Sequence, residues 1–101
     1  MSNLKRLSSH PHKHIYAEGD NRFWVHDGPV LGDIGDLNRA LKEMSDEQYS
    51  YHVNGEKNDF ANWVGQVLQD PHCAEDLQHA KSRHAAQHVV ENHLAHILNY
   101  A

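Results

Sequence analysis

The chain has 101 residues and a formal net charge of −5, with 39% hydrophobic and 23% charged residues. This length suits one domain, and the composition is that of a folded protein rather than a disordered or fibrous one. No segment reaches the ~20 consecutive apolar residues that a membrane-spanning helix needs. The acidic balance argues against nucleic-acid binding, which depends on Lys and Arg contacts to phosphates. A soluble, single-domain protein is therefore expected.

Cysteine and histidine usage are both informative. The single cysteine excludes an internal disulfide framework and a zinc site built from cysteines. The 11 histidines are far more than an average composition gives for this length. The first residues lack the apolar stretch of a secretory signal, so a reduced, cytoplasmic location is expected.

The N-terminal segment differs from the rest of the chain. Residues 1–21 have no hydrophobic periodicity and contain Ser8, Ser9, Pro11 and Gly19. Such residues interrupt regular structure. This composition predicts a mobile, histidine-containing arm at 1–21, followed by a single helical domain at 22–101.

A β-ribbon is predicted at the start of the domain. The segment Phe23–His26 is rich in aromatic and β-branched residues, and Asp27–Gly28 is a favoured hairpin turn. Pro29–Leu31 then provides a short return strand. A ribbon of this size needs helices packed against it to be stable.

Helix start signals follow along the rest of the chain. Ser45 with Gln48 forms a capping box, and Pro71 suits the first turn of a helix. The predicted N-caps are Asp33, Ser45, Asn58 or Asp59, Asp70 and Ser82. The clearest amphipathic pattern consists of Phe60, Trp63, Val64, Val67 and Leu68. The expected fold is mostly α, a compact bundle of about four to five short helices with a small N-terminal β-ribbon.

Two residues of the later helices, Cys73 and His93, are predicted to have structural roles. Cys73 shares a helix face with Leu77 and is predicted to be a small core residue. His93 falls in the apolar stripe of Val90 and Ile97, where a hydrogen-bonded core or interface histidine is expected.

Four segments together resemble a family of small prokaryotic domains of unknown function. They are the Asp27–Gly28 dipeptide, the DIGDL segment Asp33–Leu37, the YHVN block Tyr51–Asn54 and the KNDFANWV block Lys57–Val64. The resemblance covers residue 23 to about residue 90. It implies one compact, mostly helical domain, and it implies no catalytic residue, because the family has no established activity.

The sequence departs from this family's pattern in its histidines and its cysteine. Cys73 stands where the family has leucine, which supports a core position. His79, His84 and His88 stand where the family has charged or polar surface residues. Histidine enrichment is therefore a feature of this chain rather than of the family it resembles.

One cluster of polar residues lies between two predicted helices: His52, Lys57, Asn58, Asp59 and Asn62. Asn58 and Asp59 are good helix caps, so structural capping explains part of this cluster. The alternative is that these side chains line a pocket for a partner or a small ligand.

Two sets of histidines have metal-ligand spacing. His10, His12 and His14 alternate, so an extended chain would direct all three to one side. His84 and His88 are at i and i+4 on the last helix, with Glu91 at i+7. Either set suits Ni²⁺, Zn²⁺ or Cu²⁺; the alternative for both is a set of solvated polar side chains.

No catalytic motif is present in the sequence. There is no G-x-S-x-G nucleophile motif and no glycine-rich phosphate loop. The sequence predicts a non-catalytic domain that binds a protein partner or a small ligand. No cofactor is predicted. The alternative is a histidine-based protein that binds or buffers divalent metal ions.

Overall fold

The computed structural model describes the backbone of residues 15–100 and the side chains of residues 15–97. Most of the predicted arm, with His10, His12 and His14, lies outside the described residues. Ala17, near the end of the predicted arm, is buried against the domain. The Ala17 N–H donates to the Gly32 carbonyl at 2.7 Å.

The predicted β-ribbon is confirmed. Strand β1 (Phe23–Trp24) pairs antiparallel with β2 (Val30–Leu31), and Trp24 lies opposite Val30. Asp27 occupies the left-handed region at φ 53° in the turn between them, a conformation that Asp tolerates better than most residues. The ribbon buries one face and exposes the other.

Five α-helices follow the ribbon within the described part of the chain, as predicted. They are α1 (Ile34–Glu43), α2 (Asp46–His52), α3 (Asp59–Gln66), α4 (Pro71–His79) and α5 (Arg83–Tyr100).

Each helix begins at a residue whose side chain accepts a hydrogen bond from a backbone N–H three residues later. These residues are Asp33, Ser45, Asn58, Asp70 and Ser82. Each such cap contributes about 1 kcal/mol because it satisfies a backbone donor that the helix leaves unpaired. The predicted helix starts are therefore confirmed, and Asn58 rather than Asp59 is the cap of α3.

The core lies where α1 packs on α5 and α3 packs on α4. Its largest fully buried side chains are Phe60, Leu31, Leu37, Leu41, Leu77, Val64, Val90 and Cys73. Cys73 is thus a core residue, as predicted. Among the described residues, no helix combines the length and the apolar character needed to cross a membrane.

Candidate functional site

His52, the last residue of α2, is buried and fully hydrogen-bonded. The backbone N–H of His26 donates to its Nε2 at 3.0 Å, and its Nδ1 lies 3.0 Å from Oδ2 of Asp59. Because an amide N–H can only donate, Nε2 is the acceptor and the ring proton is on Nδ1, which donates to Asp59. His52 therefore joins the ribbon, α2 and α3.

Aromatic side chains surround the His52 ring. Phe23 of β1 stands edge-on to it with ring centroids 4.9 Å apart, and Phe60 of α3 lies at 5.1 Å. His52 is only 5% exposed. Its position therefore supports the fold, and neither ring nitrogen has a lone pair or proton left for a ligand.

Gln48 fixes the ribbon turn against α2. Its Oε1 accepts from the Ser45 N–H, which completes the capping box. Its Nε2 donates to the carbonyls of His26 and Asp27 at 2.9 and 3.1 Å. These hydrogen bonds hold the ribbon turn beside α2, so that the exposed surfaces of the two elements adjoin.

Lys57 and Asp59 continue the His52 network to the surface. Lys57 Nζ lies 3.2 Å from the same Asp59 oxygen that His52 contacts. It also lies 5.5 Å from the centre of the Tyr51 ring. Lys57 is therefore the exposed end of a chain of contacts that begins at the buried imidazole.

Asn58 and Asn62 face a different part of the molecule. The Asn58 side chain accepts from the Ala61 N–H and donates to the Leu77 carbonyl at 3.1 Å, so it is a buried cap that also ties α3 to the end of α4. Both asparagines line an open, polar cleft of about 410 Å³, together with Val53, Asn54, Gly55, Glu56, Lys57, Gln78 and Ala80. The structure thus separates the predicted cluster into a buried network and a cleft, which Lys57 adjoins.

An exposed aromatic surface lies beside the buried network. Trp24 and Tyr51 are each 54% exposed, and Val30 is 40% exposed. The His26 ring stacks on Tyr51 with centroids 3.8 Å apart and planes 5° apart. We call this the ribbon face; it consists of Arg22, Trp24, His26, Val30, Tyr51 and Lys57.

The ribbon face is continuous because successive side chains of the ribbon alternate between the buried and the exposed side. Trp24 and His26 are two residues apart, with the buried Val25 between them, so both point outward. The Arg22 guanidinium lies 5.8 Å from the Trp24 ring. This surface was not predicted from the sequence, although the alternation along residues 23–26 was a usable signal for the exposure of Trp24.

The structure brings His84 and His88 together on α5. Their Nε2 atoms are 3.2 Å apart, and both side chains are exposed. The Glu91 carboxylate contacts Gln87 Nε2 at 2.6 Å and Lys42 Nζ at 4.0 Å. The hydrogen bond from Gln87, and then the Lys42 charge, lower the pKa of Glu91. The Glu91 carboxylate therefore interacts with Gln87 and Lys42.

A second group with metal-ligand chemistry lies between α4 and α5. One ligand atom each from Asp70, Cys73 and His93 lies within 4.8 Å of the other two. His93 Nε2 is 2.9 Å from Asp76 Oδ2, so the expected hydrogen bond of His93 is present. From the sequence, Asp70 was predicted to be a helix cap, Cys73 a core residue and His93 a hydrogen-bonded histidine, and their proximity was not predicted.

The Cys73 thiol is not an activated nucleophile. Burial raises its pKa, and the carboxylates of Asp70 and Asp76 raise it further. Only the thiolate is nucleophilic, so the free thiol is unreactive near neutral pH.

No family model, curated protein or solved structure matches the chain. The resemblance of the YHVN and KNDFANWV blocks to a family of small prokaryotic domains thus stays an expectation.

Proposed function

We propose that this chain is a non-catalytic protein-binding domain and that the ribbon face is its binding surface. The observation that supports this proposal is the concentration of exposed apolar side chains. Four large apolar side chains are exposed among the described residues, and three of them, Trp24, Val30 and Tyr51, belong to the ribbon face. Exposed apolar patches of this kind commonly mark interaction sites.

The side chains of the ribbon face have the types that dominate binding energies. Trp, Tyr and Arg are the most frequent hot-spot residues of protein interfaces. Here Trp24 is held opposite Val30 by the strand register, and the His26 stack holds Tyr51. A surface that is already ordered loses less side-chain entropy on binding, so more of the contact energy contributes to affinity.

The charges around this surface favour a particular kind of partner. Arg22 has no ion-pair partner among residues 15–97, whereas Lys57 is paired with Asp59. The Arg22 Nε–H donates to the Gly19 carbonyl at 3.2 Å, which leaves the terminal guanidinium nitrogens available to a carboxylate beside the apolar contact of Trp24. We propose a partner that presents apolar side chains with a carboxylate next to them.

The chemistry of the buried residues supports a non-catalytic role. His52 and Asp59 resemble the histidine–carboxylate pair of many hydrolases. In this chain the His26 N–H occupies the nitrogen that would act as the base. A nucleophile beside His52 would have to replace that hydrogen bond.

Capture of partners from a lysate by the full chain tests the proposal, with Trp24→Ala and Tyr51→Ala as variants. We expect both variants to stay folded and to lose the same protein partner, with affinity reduced at least tenfold. Gln66→Ala is the control, because Gln66 is also exposed but belongs to α3 rather than to the ribbon or α2. Retention of every partner by both variants, or capture of nucleic acid alone, would contradict the proposal.

We also propose weak divalent-ion binding by His84 and His88 as a second candidate function. Two nitrogens bound to one ion at about 2.0–2.1 Å lie roughly 2.9–3.4 Å apart, and the observed separation is 3.2 Å. Titration of Ni²⁺ and Zn²⁺ into wild type and into the double variant His84→Ala, His88→Ala tests it. Equal binding by both proteins would remove this candidate.

A further inference from the structure

We propose that Asp70, Cys73 and His93 form a binding site for a single divalent cation, with Zn²⁺ as the best-matched ion. Their carboxylate oxygen, thiol sulfur and imidazole nitrogen all lie within 4.8 Å of one another. This site is separate from the ribbon face and from the His84–His88 pair.

Two helices build the site. Asp70 is the N-cap of α4 and Cys73 lies in its first turn, where the Asp70 side chain accepts from the Cys73 N–H at 3.1 Å. His93 is on α5, which packs against α4. An ion bound to all three side chains would therefore link the start of α4 to α5.

The ligand types match zinc. Zn²⁺ binds thiolate, imidazole and carboxylate together, whereas Mg²⁺ and Ca²⁺ prefer oxygen ligands alone. Three protein ligands leave one tetrahedral position for water or a small ligand. Cys73 binds as the thiolate, so its proton is released to solvent as the sulfur–metal bond forms.

Asp76 lies next to the site and contacts one of its three proposed ligands, His93. Its Oδ2 lies 2.9 Å from Nε2 of His93, and this contact fixes the orientation of the imidazole ring. Because Nε2 is bonded to Asp76, we place the ion on Nδ1 of His93. Metal-binding histidines usually carry such a carboxylate on the other ring nitrogen, and its loss typically weakens metal binding about 10–100-fold.

The capping hydrogen bond places the Asp70 carboxylate beside Cys73, but neither capping nor core packing requires the His93 ring to lie next to them. Cys73 would fill the core, and Asp70 would cap α4, wherever the His93 ring lay. Cys73 is fully buried, while Asp70 and His93 are partly exposed. The side of the carboxylate and the imidazole is therefore the side from which we expect an ion to approach the thiol.

Titration of Co²⁺ into the reduced full-length chain tests the proposal, because cobalt bound to a thiolate has a sulfur-to-metal charge-transfer absorption in the near ultraviolet. Imidazole-only sites, such as His84–His88 or His10, His12 and His14, lack this absorption. We expect one cobalt ion per chain with the band, and displacement by Zn²⁺.

Variants locate the site. Cys73→Ala should abolish the band, and Asp70→Asn, which keeps a good N-cap, should lower the affinity at least tenfold. Asp76→Asn should lower it about 10–100-fold. His84→Ala with His88→Ala, and replacement of His10, His12 and His14 by Ala, should leave the band unchanged.

Circular dichroism of each variant checks that it is folded. If Cys73→Ala is unfolded, the folded Asp70→Asn and Asp76→Asn variants still decide the outcome. Absence of the thiolate band in wild type, or full affinity in both aspartate variants, would overturn the proposal.

Discussion

The backbone N–H of His26 donates to Nε2 of His52, which lies 26 positions further along the chain. This hydrogen bond connects the turn of the β-ribbon to the end of α2. Because the other ring nitrogen bonds to Asp59, one imidazole sets the position of Tyr51, His26 and Lys57 relative to one another. The exposed ribbon face therefore depends on a buried histidine.

His52→Ala should destabilise the domain by roughly 3 kcal/mol. The substitution removes two hydrogen bonds and leaves the His26 N–H without an acceptor. It leaves Asp59 with Lys57 as its remaining partner and opens a cavity beside Phe60. Urea denaturation followed by circular dichroism measures the change. The exposed His72→Ala serves as the control, with an expected change below ~0.5 kcal/mol. A loss below ~1 kcal/mol for His52→Ala would mean that the imidazole does not join these elements.

Trp63 should reveal whether residues 17–21 belong to the folded unit. Its Nε1–H donates to the Asn21 carbonyl at 2.7 Å, while its ring lies in the core. Trp63→Ala should cost on the order of 3–5 kcal/mol. Trp63→Phe keeps much of the ring packing and should cost less, chiefly the hydrogen bond and the lost ring volume. Hydrogen exchange should report faster exchange at Ala17 in Trp63→Phe; unchanged exchange there would separate the segment from Trp63.

Lys57→Ala should weaken partner binding without unfolding the domain. Lys57 is 43% exposed at the side chain, so its ion pair with Asp59 is screened by solvent and the stability change should be below ~0.5 kcal/mol. Its loss removes a cation from the Tyr51 ring at the ribbon face. Thermal melting and partner affinity, measured on the same preparation, separate the two effects. Unfolding of this variant would instead assign Lys57 to the structural network.

Cys73 should make stability fall at alkaline pH. Its pKa in the folded chain is raised by burial and by two nearby carboxylates, whereas an unfolded cysteine titrates near ~8.5. Above that pH the unfolded chain binds fewer protons than the folded chain, so unfolding becomes more favourable as pH rises. Below ~8.5 both states keep the proton, and this contribution is constant.

Comparison with Cys73→Ala isolates this effect. The stability difference between wild type and Cys73→Ala should shift against wild type between about pH 8.5 and 10 in metal-free buffer. Alkylation of native wild type near pH 8 should be slow and should become fast in denaturant. A pH-independent difference, or rapid labelling of the native protein, would contradict burial of a protonated thiol.

The local elements could be predicted from the sequence because their causes are local. The Ser45–Gln48 capping box and the Asp70–Pro71 helix start act over three or four residues. The turn at Asp27 and Gly28 is equally local. The structure confirms the helix starts and the ribbon that these features predict.

The candidate site was less predictable because its contacts join distant segments. His52 and Asp59 were recognised as polar residues near helix ends, but the His26 donor that buries and saturates the imidazole could not be identified from spacing. In the same way, the apolar stripe containing His93 did not indicate that α5 would bring its ring to Cys73. Packing of the ribbon on α2 and of α5 on α4, rather than residue pattern, determines these contacts.

The central claim, that the ribbon face binds a protein, is tested most directly by photo-crosslinking from within that face. A photoreactive amino acid replaces Val30, which is 40% exposed and lies opposite Trp24, and a second protein carries it at the exposed Gln66 on α3 as the control. We predict that irradiation in cells yields one dominant crosslinked protein from position 30, and that Trp24→Ala greatly reduces this product. The same product from position 66, or none from position 30, would contradict the account.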